Sequence, residues 1–270
     1  MDAASLLNAT ILGIVEGLTE FLPVSSTGHL ILADAVLGIS GPASKLFDVV
    51  IQVGAILAVC WLYRARLWAA TARFATDPVQ RRFVINVTVA FLPAAVVGVF
   101  AYKAIKAYLF SPWVVAVSLI VGGFAILVVE RWCDRDDRPE VPVDVITART
   151  AFYIGLCQLL AMIPGVSRAG ATILGAVALG VPRRAATEFS FYLAIPTLVG
   201  AAVYDIYKNR HDLAGNDPVT IGVGLVVSFI AAAIVIKWLI GFVAHHRFTV
   251  FAWYRIAVGA LALVLLSVAG

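Results

Sequence analysis

The side chains best suited to chemistry cluster in one short segment, from Glu16 to His29. Two carboxylates, several hydroxyl groups and an imidazole occur there, although apolar residues flank the segment on both sides. An ionisable side chain at membrane depth costs about 2.5–3.5 kcal/mol even on a lenient insertion scale, so such residues usually face a cavity and carry function. The residue types indicate cation binding combined with phosphate or nucleophilic chemistry.

Glu16 and Glu20 form the acidic part of this segment. They are four residues apart, which places them on one face of a helix with Cβ atoms about 5–6 Å apart. Two ionised carboxylates at that separation repel each other unless a cation lies between them. A hard divalent cation, Mg²⁺ or Ca²⁺, suits such oxygen ligands, with water and a substrate phosphate completing the shell. The alternative is that one carboxylate is protonated and only hydrogen-bonded within the helix bundle.

Ser25, Ser26 and Thr27 carry hydroxyls just before His29, on a turn rich in Pro and Gly. A hydroxyl beside an imidazole can act as a nucleophile with a general base, and His29 can exchange a proton near neutral pH. If a helix starts near these residues, its free N–H groups and positive dipole end favour a phosphate there. Ser25 could instead be an ordinary N-cap.

A second polar turn, around Arg168, lies in an otherwise apolar region of the chain. A guanidinium there needs an anionic partner, and its planar fork of donors matches phosphate. Ser167 and Thr172 are further candidates for phosphate binding or for helix capping. A structural ion pair between Arg168 and Glu16 or Glu20 is the alternative, and it does not exclude phosphate binding.

Composition indicates what surrounds these turns. The chain is 62% hydrophobic and only 13% charged, and its mean hydropathy is +0.98, values typical of integral membrane proteins. Its basic residues are too dispersed to predict nucleic-acid binding. The longest polar stretches, at about 64–82 and 131–149, have the size of loops. We therefore expect a single all-α polytopic membrane domain over residues 1–270, with the lipid bilayer as its partner.

Six apolar segments are long enough to cross a hydrocarbon core of about 30 Å. They cover approximately 46–63, 83–102, 112–130, 185–204, 218–240 and 248–269. Four shorter apolar pieces, at 5–21, 24–38, 149–163 and 170–181, form two pairs that are each joined by a Pro/Gly/Ser turn. Such pairs predict re-entrant helical hairpins, whose broken backbone is tolerated only beside protein or a water-filled cavity. Tyr254 and Arg255, in the last span, are interpreted as interface anchors or as pairs within the bundle.

The two hairpins resemble each other in sequence. The segment from Gly13 to Gly28 aligns with the segment from Gly155 to Gly170, with the proline slipped by one position. A re-entrant pair returns the chain to the side it came from, and three crossings then precede the second hairpin, so the two halves must be inverted. The sequence thus predicts an inverted-topology repeat of about 1–130 and 149–270, an arrangement found mostly in transporters.

The basic residues indicate the orientation of this domain. On the expected topology one face receives twelve of them and the other face five, so the first face is expected to be cytoplasmic. The richer face contains Arg64, Arg66, Arg73, Arg81, Arg82, Arg131, Arg135, Arg138, Arg149, Arg183, Arg184 and Arg247, and the poorer one Lys45, Lys103, Lys106, Lys208 and Arg210. Both termini and the mouth of the first hairpin would then lie outside.

Taken together, the motifs resemble those of the bacitracin-resistance family of undecaprenyl-diphosphate phosphatases. The likeness is carried by Glu16-x-x-x-Glu20, then Phe-Leu-Pro-Val-Ser-Ser-Thr-Gly-His29, then Pro164-Gly-Val-Ser-Arg168-x-Gly-Ala-Thr172 and finally Glu188-Phe-Ser-Phe. One departure is Ala169, where the family usually has Ser.

The resemblance implies an enzyme of the bacterial plasma (inner) membrane whose site opens to the periplasm. It would hydrolyse the C55 isoprenyl diphosphate to the monophosphate carrier used in peptidoglycan synthesis, aided by Mg²⁺ or Ca²⁺. By the same resemblance, Glu16 and Glu20 match the acidic motif, Ser26 and His29 the catalytic hydroxyl and imidazole, and Arg168 the phosphate-binding arginine.

The mechanism that we favour is attack by Ser26 on the terminal phosphorus, with His29 as base and with the cation and Arg168 neutralising the phosphate oxygens. A metal-activated water or His29 itself could attack instead. An inverted-repeat transporter or lipid-phosphate flippase is the alternative function. The oligomeric state, a homodimer included, is left open by the sequence.

Overall fold

The computed structural model describes residues 3–39, 41–109, 111–133, 141–208 and 217–269. Within these ranges the chain is helical and has no strand. The α-helices are α1 Ala3–Thr19, α2 Ser26–Leu37, α3 Pro42–Leu62, α4 Arg64–Ala72, α5 Pro78–Tyr108, α6 Pro112–Trp132, α7 Ala148–Gln158, α8 Arg168–Ala178, α9 Arg183–Lys208, α10 Pro218–Val243 and α11 Thr249–Ala269. Short 3₁₀ turns occur at Val143–Val145 and Leu159–Met162.

Five of the described helices, α5, α6, α9, α10 and α11, are long and apolar enough to cross a membrane. A sixth crossing results if α3 and α4, which meet at a bend of 74°, are counted together. A polytopic membrane protein is therefore confirmed.

The stretch 64–82, which the sequence predicts to be a loop, instead begins with helix α4. Leu67 packs against the core and Ala70 is buried, so one side of this polar helix is held by tertiary contacts. Arg66 also forms an ion pair with Asp144.

The four short helices form two pairs, α1 with α2 and α7 with α8, and a tight turn joins the helices of each pair. Ser25 caps α2 and Ser167 caps α8, each accepting a hydrogen bond from the backbone N–H three residues later. Their φ angles are 73° and 74°, and they are the non-glycine residues with positive φ in the described chain. This backbone conformation is strained for an L-residue, and such strain is concentrated at functional sites.

Glycines let the first helix of each pair approach a long helix closely. A Cβ on Gly13 would lie 2.7 Å from the Gly224 carbonyl oxygen of α10, and one on Gly155 would lie 2.3 Å from the Ala90 carbonyl oxygen of α5. Small residues at such contacts allow backbones to pack against each other, as is common between membrane helices. The turns are therefore held by α5 and α10 rather than by their own pairs alone.

A buried carboxylate joins three helices at the end of the bundle opposite the two turns. Glu130, near the end of α6, accepts bonds from Arg183 Nε at 3.2 Å and Nη2 at 2.7 Å. It also accepts the backbone N–H of Phe248 at 3.1 Å, just before α11. These contacts join α6, α9 and α11 far from the two turns.

Candidate active site

The two turns meet at one cavity of about 440 Å³. Ser167 Oγ donates to the Leu22 carbonyl oxygen at 3.4 Å, which links the second turn directly to the first. The polar residues that line the cavity are Glu20, Ser25, Ser26, Thr27, Gln52, Gln158, Ser167, Arg168, Thr197, Tyr204 and Asp205. Most predicted site residues thus surround one space, although the two turns are far apart in sequence.

Glu20 is the centre of the polar cluster. The Ser26 hydroxyl donates a short hydrogen bond to one oxygen of Glu20. Arg168 Nη2 donates to the other oxygen at 3.1 Å, and the two side chains are 9% and 4% exposed. The first turn therefore supplies the anionic partner that a buried Arg168 requires, and the same carboxylate contacts a hydroxyl that could attack a phosphorus.

A second set of contacts fixes the orientation of Arg168. Its Nη1 donates to the Ser190 carbonyl oxygen at 3.0 Å, and Ser190 Oγ lies 2.7 Å from Thr172 Oγ1. Thr172 is fully buried and does not line the cavity. It contacts Ser190, which in turn accepts a hydrogen bond from Arg168. The sequence analysis gave Ser190 no role of its own, although it belongs to the Glu188-Phe-Ser-Phe motif that carries part of the family resemblance.

Glu16 lies one helical turn before Glu20 and is 1% exposed. Neither of its carboxylate oxygens accepts a hydrogen bond from the described residues. A buried polar atom without a partner costs about 1–3 kcal/mol, so an orphaned carboxylate beside a second one is a feature that needs a ligand or a proton. Groups of three or more potential metal-ligating side chains do not occur among the described residues, so water and substrate would have to complete a cation's shell.

His29 makes its hydrogen bonds with groups other than Ser26. Its Nδ1 lies 2.8 Å from the Ser25 carbonyl oxygen and its Nε2 lies 2.7 Å from the Tyr254 hydroxyl. The two rings are stacked, with an interplanar angle of 4°. Both ring nitrogens are thus engaged by groups other than Ser26, His29 itself does not line the cavity, and Tyr254 is a neighbour that the sequence did not indicate.

Arg255 forms the largest set of contacts near the turns. Its side chain is 1% exposed and donates to backbone carbonyl oxygens of both turns and of α6. The sequence interpretation, an interface anchor or a pair within the bundle, named neither these partners nor their place beside the two turns. Carbonyl oxygens have no side-chain signature, so nothing in the sequence marks them as acceptors.

Two helix N-termini also point towards the cavity, because Ser26 is the first residue of α2 and Arg168 the first of α8. The positive end of a helix dipole favours an anion. Ala169, the departure from the family's usual Ser, is fully buried in the apolar core and does not line the cavity. The missing hydroxyl therefore removes no donor from this space.

The fold and site define a polytopic membrane protein with a polar cavity at which two turns between short helices meet. The family model of the bacitracin resistance protein BacA matches residues 9–261, and the chain belongs to this family.

Its relatives match over nearly their whole length. The undecaprenyl-diphosphatase of Rhizorhabdus wittichii is 54% identical over 266 residues, which cover 96% of this chain and 97% of the relative. Undecaprenyl-diphosphatase 2 of Paramagnetospirillum magneticum is 52% identical over 261 residues, covering 97% and 99%. The undecaprenyl-diphosphatase of Rhodopseudomonas palustris is 52% identical over 271 residues, covering 98% of each.

Proposed function

We propose that this protein hydrolyses undecaprenyl diphosphate to undecaprenyl phosphate and inorganic phosphate, thereby recycling the lipid carrier and giving resistance to bacitracin. The observation that carries the proposal is the contact of Glu20 with both Ser26 and Arg168 at the cavity. A nucleophile, a proton acceptor and a phosphate-binding cation are thereby within reach of one substrate group. The family and the names of the relatives support the same substrate.

The contacts favour Glu20 as the group that accepts the proton of Ser26. As the Ser26 Oγ–phosphorus bond forms, the bond from phosphorus to the bridging oxygen breaks and the lipid monophosphate leaves. Water then hydrolyses the phosphoserine and releases phosphate. Arg168 stabilises the charge on the phosphate oxygens throughout. His29, held by Tyr254 at the edge of the site, would have to turn to act as base or nucleophile.

The cavity walls suit an isoprenyl chain. Beyond the polar end, apolar and small residues of α5 and α9 line the space: Phe91, Ala94, Ala95, Gly98, Val99, Leu198, Gly200 and Ala201. A volume of about 440 Å³ is that of a site for a drug-sized ligand. The diphosphate and the first isoprene units would fit, so the rest of the 55-carbon chain would lie in the bilayer.

A divalent cation, Mg²⁺ or Ca²⁺, fits the acidic end of the site. Glu16 and Glu20 would hold it, because Glu16 offers two oxygens that accept no hydrogen bond from the described residues and hard cations prefer oxygen ligands. When bound, it would neutralise charge on the diphosphate. Ser25, Thr27 and Ser167 line the cavity together with Glu20, whereas Glu16 does not, and these three would contact phosphate oxygens.

We further propose six crossings and two re-entrant hairpins, arranged as an inverted repeat with the site open to the periplasm and both termini outside. The matched caps at Ser25 and Ser167 and the matched contacts of Gly13 and Gly155 support a repeat. Exposed tryptophans support the placement of helix ends at the membrane–water interface, because Trp is enriched at both interfaces. Four of them, Trp61, Trp68, Trp132 and Trp253, lie near helix ends on the Arg-rich side.

The test is phosphate release from undecaprenyl diphosphate by purified protein in detergent with Mg²⁺ or Ca²⁺. Detergent has no compartments, so release there is hydrolysis and cannot be transport. Ser26→Ala should abolish release and should prevent trapping of a phosphoenzyme labelled at Ser26. A fully active Ser26→Ala protein would refute nucleophilic attack by Ser26, and a folded wild type that releases no phosphate would refute the function.

A further inference from the structure

Arg255 donates five hydrogen bonds, all of them to backbone carbonyl oxygens. Its Nη1 contacts Pro23 O at 2.9 Å and Val166 O at 3.0 Å, and Nη2 contacts Gly165 O at 2.9 Å. The remaining two bonds reach α6, at Ser118 O and Leu119 O. One side chain from α11 thus holds the first turn, the second turn and α6 together.

A buried arginine usually has an anionic partner, because a lone buried charge is costly. The salt bridges of the described residues do not include Arg255. Three of its partners, the carbonyl groups of Pro23, Gly165 and Val166, lie in the two turns outside any helix, and such groups must be satisfied by other donors when they are buried. The planar guanidinium group suits several carbonyl acceptors at once, because its N–H donors point in several fixed directions.

We propose that Arg255 is a positioning residue that sets the distance between the two turns. Glu20 and Ser26 lie on either side of Pro23 in the first turn, whereas Arg168 follows Val166 in the second, so the alignment of the reacting groups depends on the turns that Arg255 joins. The inference rests on the proposed hydrolysis, but its geometric part can be tested without activity.

The expected signature is a loss of kcat with little change in KM. A displacement of about 1 Å at a distance from the chemistry can reduce rates about 100-fold. The apolar walls that would hold the prenyl chain belong to α5 and α9, whereas the hydrogen bonds of Arg255 reach the turns and α6. We therefore expect Arg255→Lys, which keeps the charge but loses the fork, to lower kcat about 100-fold and to change KM less than about threefold.

Arg183→Lys is the matched control, because it removes a fork from another arginine that joins helices, at Glu130. It should leave kcat within about threefold of wild type. Equal losses of kcat in the two variants would overturn the proposal, since Arg255 would then act only on general stability. Retention of kcat by folded Arg255→Lys would also overturn it.

A second perturbation displaces the guanidinium without changing Arg255. A Cβ on Gly122 would lie 2.0 Å from Arg255 Nη2, whereas a Cβ on Gly241 has no atom within 4 Å. Gly122→Ala should reproduce the kcat defect of Arg255→Lys, and Gly241→Ala should behave as wild type. If Arg255→Lys fails to fold, the comparison of Gly122→Ala with Gly241→Ala tests the proposal instead. A Gly122→Ala protein with wild-type kcat would overturn it.

The geometric part is tested with spin labels at Thr27 and Leu160 in a background without Cys60, Cys133 and Cys157. Both label positions are exposed and lie beside the two turns. The distribution of label distances should broaden or shift in Arg255→Lys but stay unchanged in Arg183→Lys. An unchanged distribution in Arg255→Lys would overturn the proposal, whatever the wild type does to undecaprenyl diphosphate.

Discussion

Replacing Glu16 by glutamine should make the protein more stable and less active. The wild-type carboxylate is 1% exposed, and both of its oxygens lack a donor among the described residues. The introduced side-chain amide would remove the buried charge and could donate to Glu20 one helical turn away. A residue that weakens the fold in this way is expected where function requires a free carboxylate.

The size of the effect follows from the orphaned atoms. An unsatisfied buried polar group costs about 1–3 kcal/mol, so Glu16→Gln should gain roughly 2 kcal/mol in the free energy of unfolding. For a protein of this size, each kcal/mol shifts Tm by roughly 2–4 °C, which predicts an increase of about 4–8 °C.

Thermal unfolding in detergent and steady-state phosphate release measure the two quantities. Mg²⁺ or Ca²⁺ should raise the Tm of wild type, because a ligand that binds only the folded state stabilises it, and this shift should be absent in Glu16→Gln. Glu130→Gln is the matched control, because Glu130 is similarly buried but accepts three hydrogen bonds. Its Tm should fall, since charge-assisted bonds of about 1.5–3 kcal/mol are weakened.

A lower Tm for Glu16→Gln would refute the reasoning, because it would show that the carboxylate makes stabilising contacts in the folded protein. Unchanged activity with a higher Tm would separate the two halves of the argument: the carboxylate would be unsatisfied, yet hydrolysis would not require it.

Three further variants test the supports of the site. Arg168→Lys should lower kcat/KM about 10–100-fold in phosphate-release assays, because one ammonium cannot reach Glu20 and the Ser190 carbonyl together and a charge-assisted bond is worth about 1.5–3 kcal/mol; wild-type kinetics would contradict the role of the fork. Tyr254→Phe should lower kcat by roughly two- to tenfold, because it removes the hydrogen bond that orients His29; wild-type kinetics would contradict a role for this bond in the reaction. Gly17→Ala should lower Tm by roughly 2–12 °C, because its Cβ would lie 2.5 Å from the Ser228 carbonyl oxygen and overpacking costs about 1–3 kcal/mol; an unchanged Tm would mean that α1 can shift freely.

Much of the site could be predicted because its members are chemically conspicuous. Glu20 and Arg168 are charged residues in apolar surroundings, and the repeated turn sequence predicted that they would meet. The partner of Ser26 could not be predicted, because Glu20 and His29 are both close in sequence and only the path of the turn decides between them. The structure selects Glu20 and directs His29 towards Tyr254.

The spans were predictable from hydropathy, whereas the bend between α3 and α4 was not. The residues from Arg64 to Ala72 are polar enough to suggest a loop, and their helix depends on contacts of Leu67 and Ala70 with distant segments. The same holds for Arg255, whose acceptors are backbone atoms that any residue type supplies.

The pairing of Arg255 with carbonyl groups rather than with a carboxylate also concerns electroneutrality. When both carboxylates are ionised, the formal charges of Glu16, Glu20, Arg168 and Arg255 cancel, so these four groups together then hold no net charge for a transmembrane voltage to act on. A diphosphate brings an excess of negative charge into a region of low permittivity, where uncompensated charge is costly. The diphosphate lipid and a divalent cation should therefore bind to the site together. Each should raise the affinity of the protein for the other by the same factor.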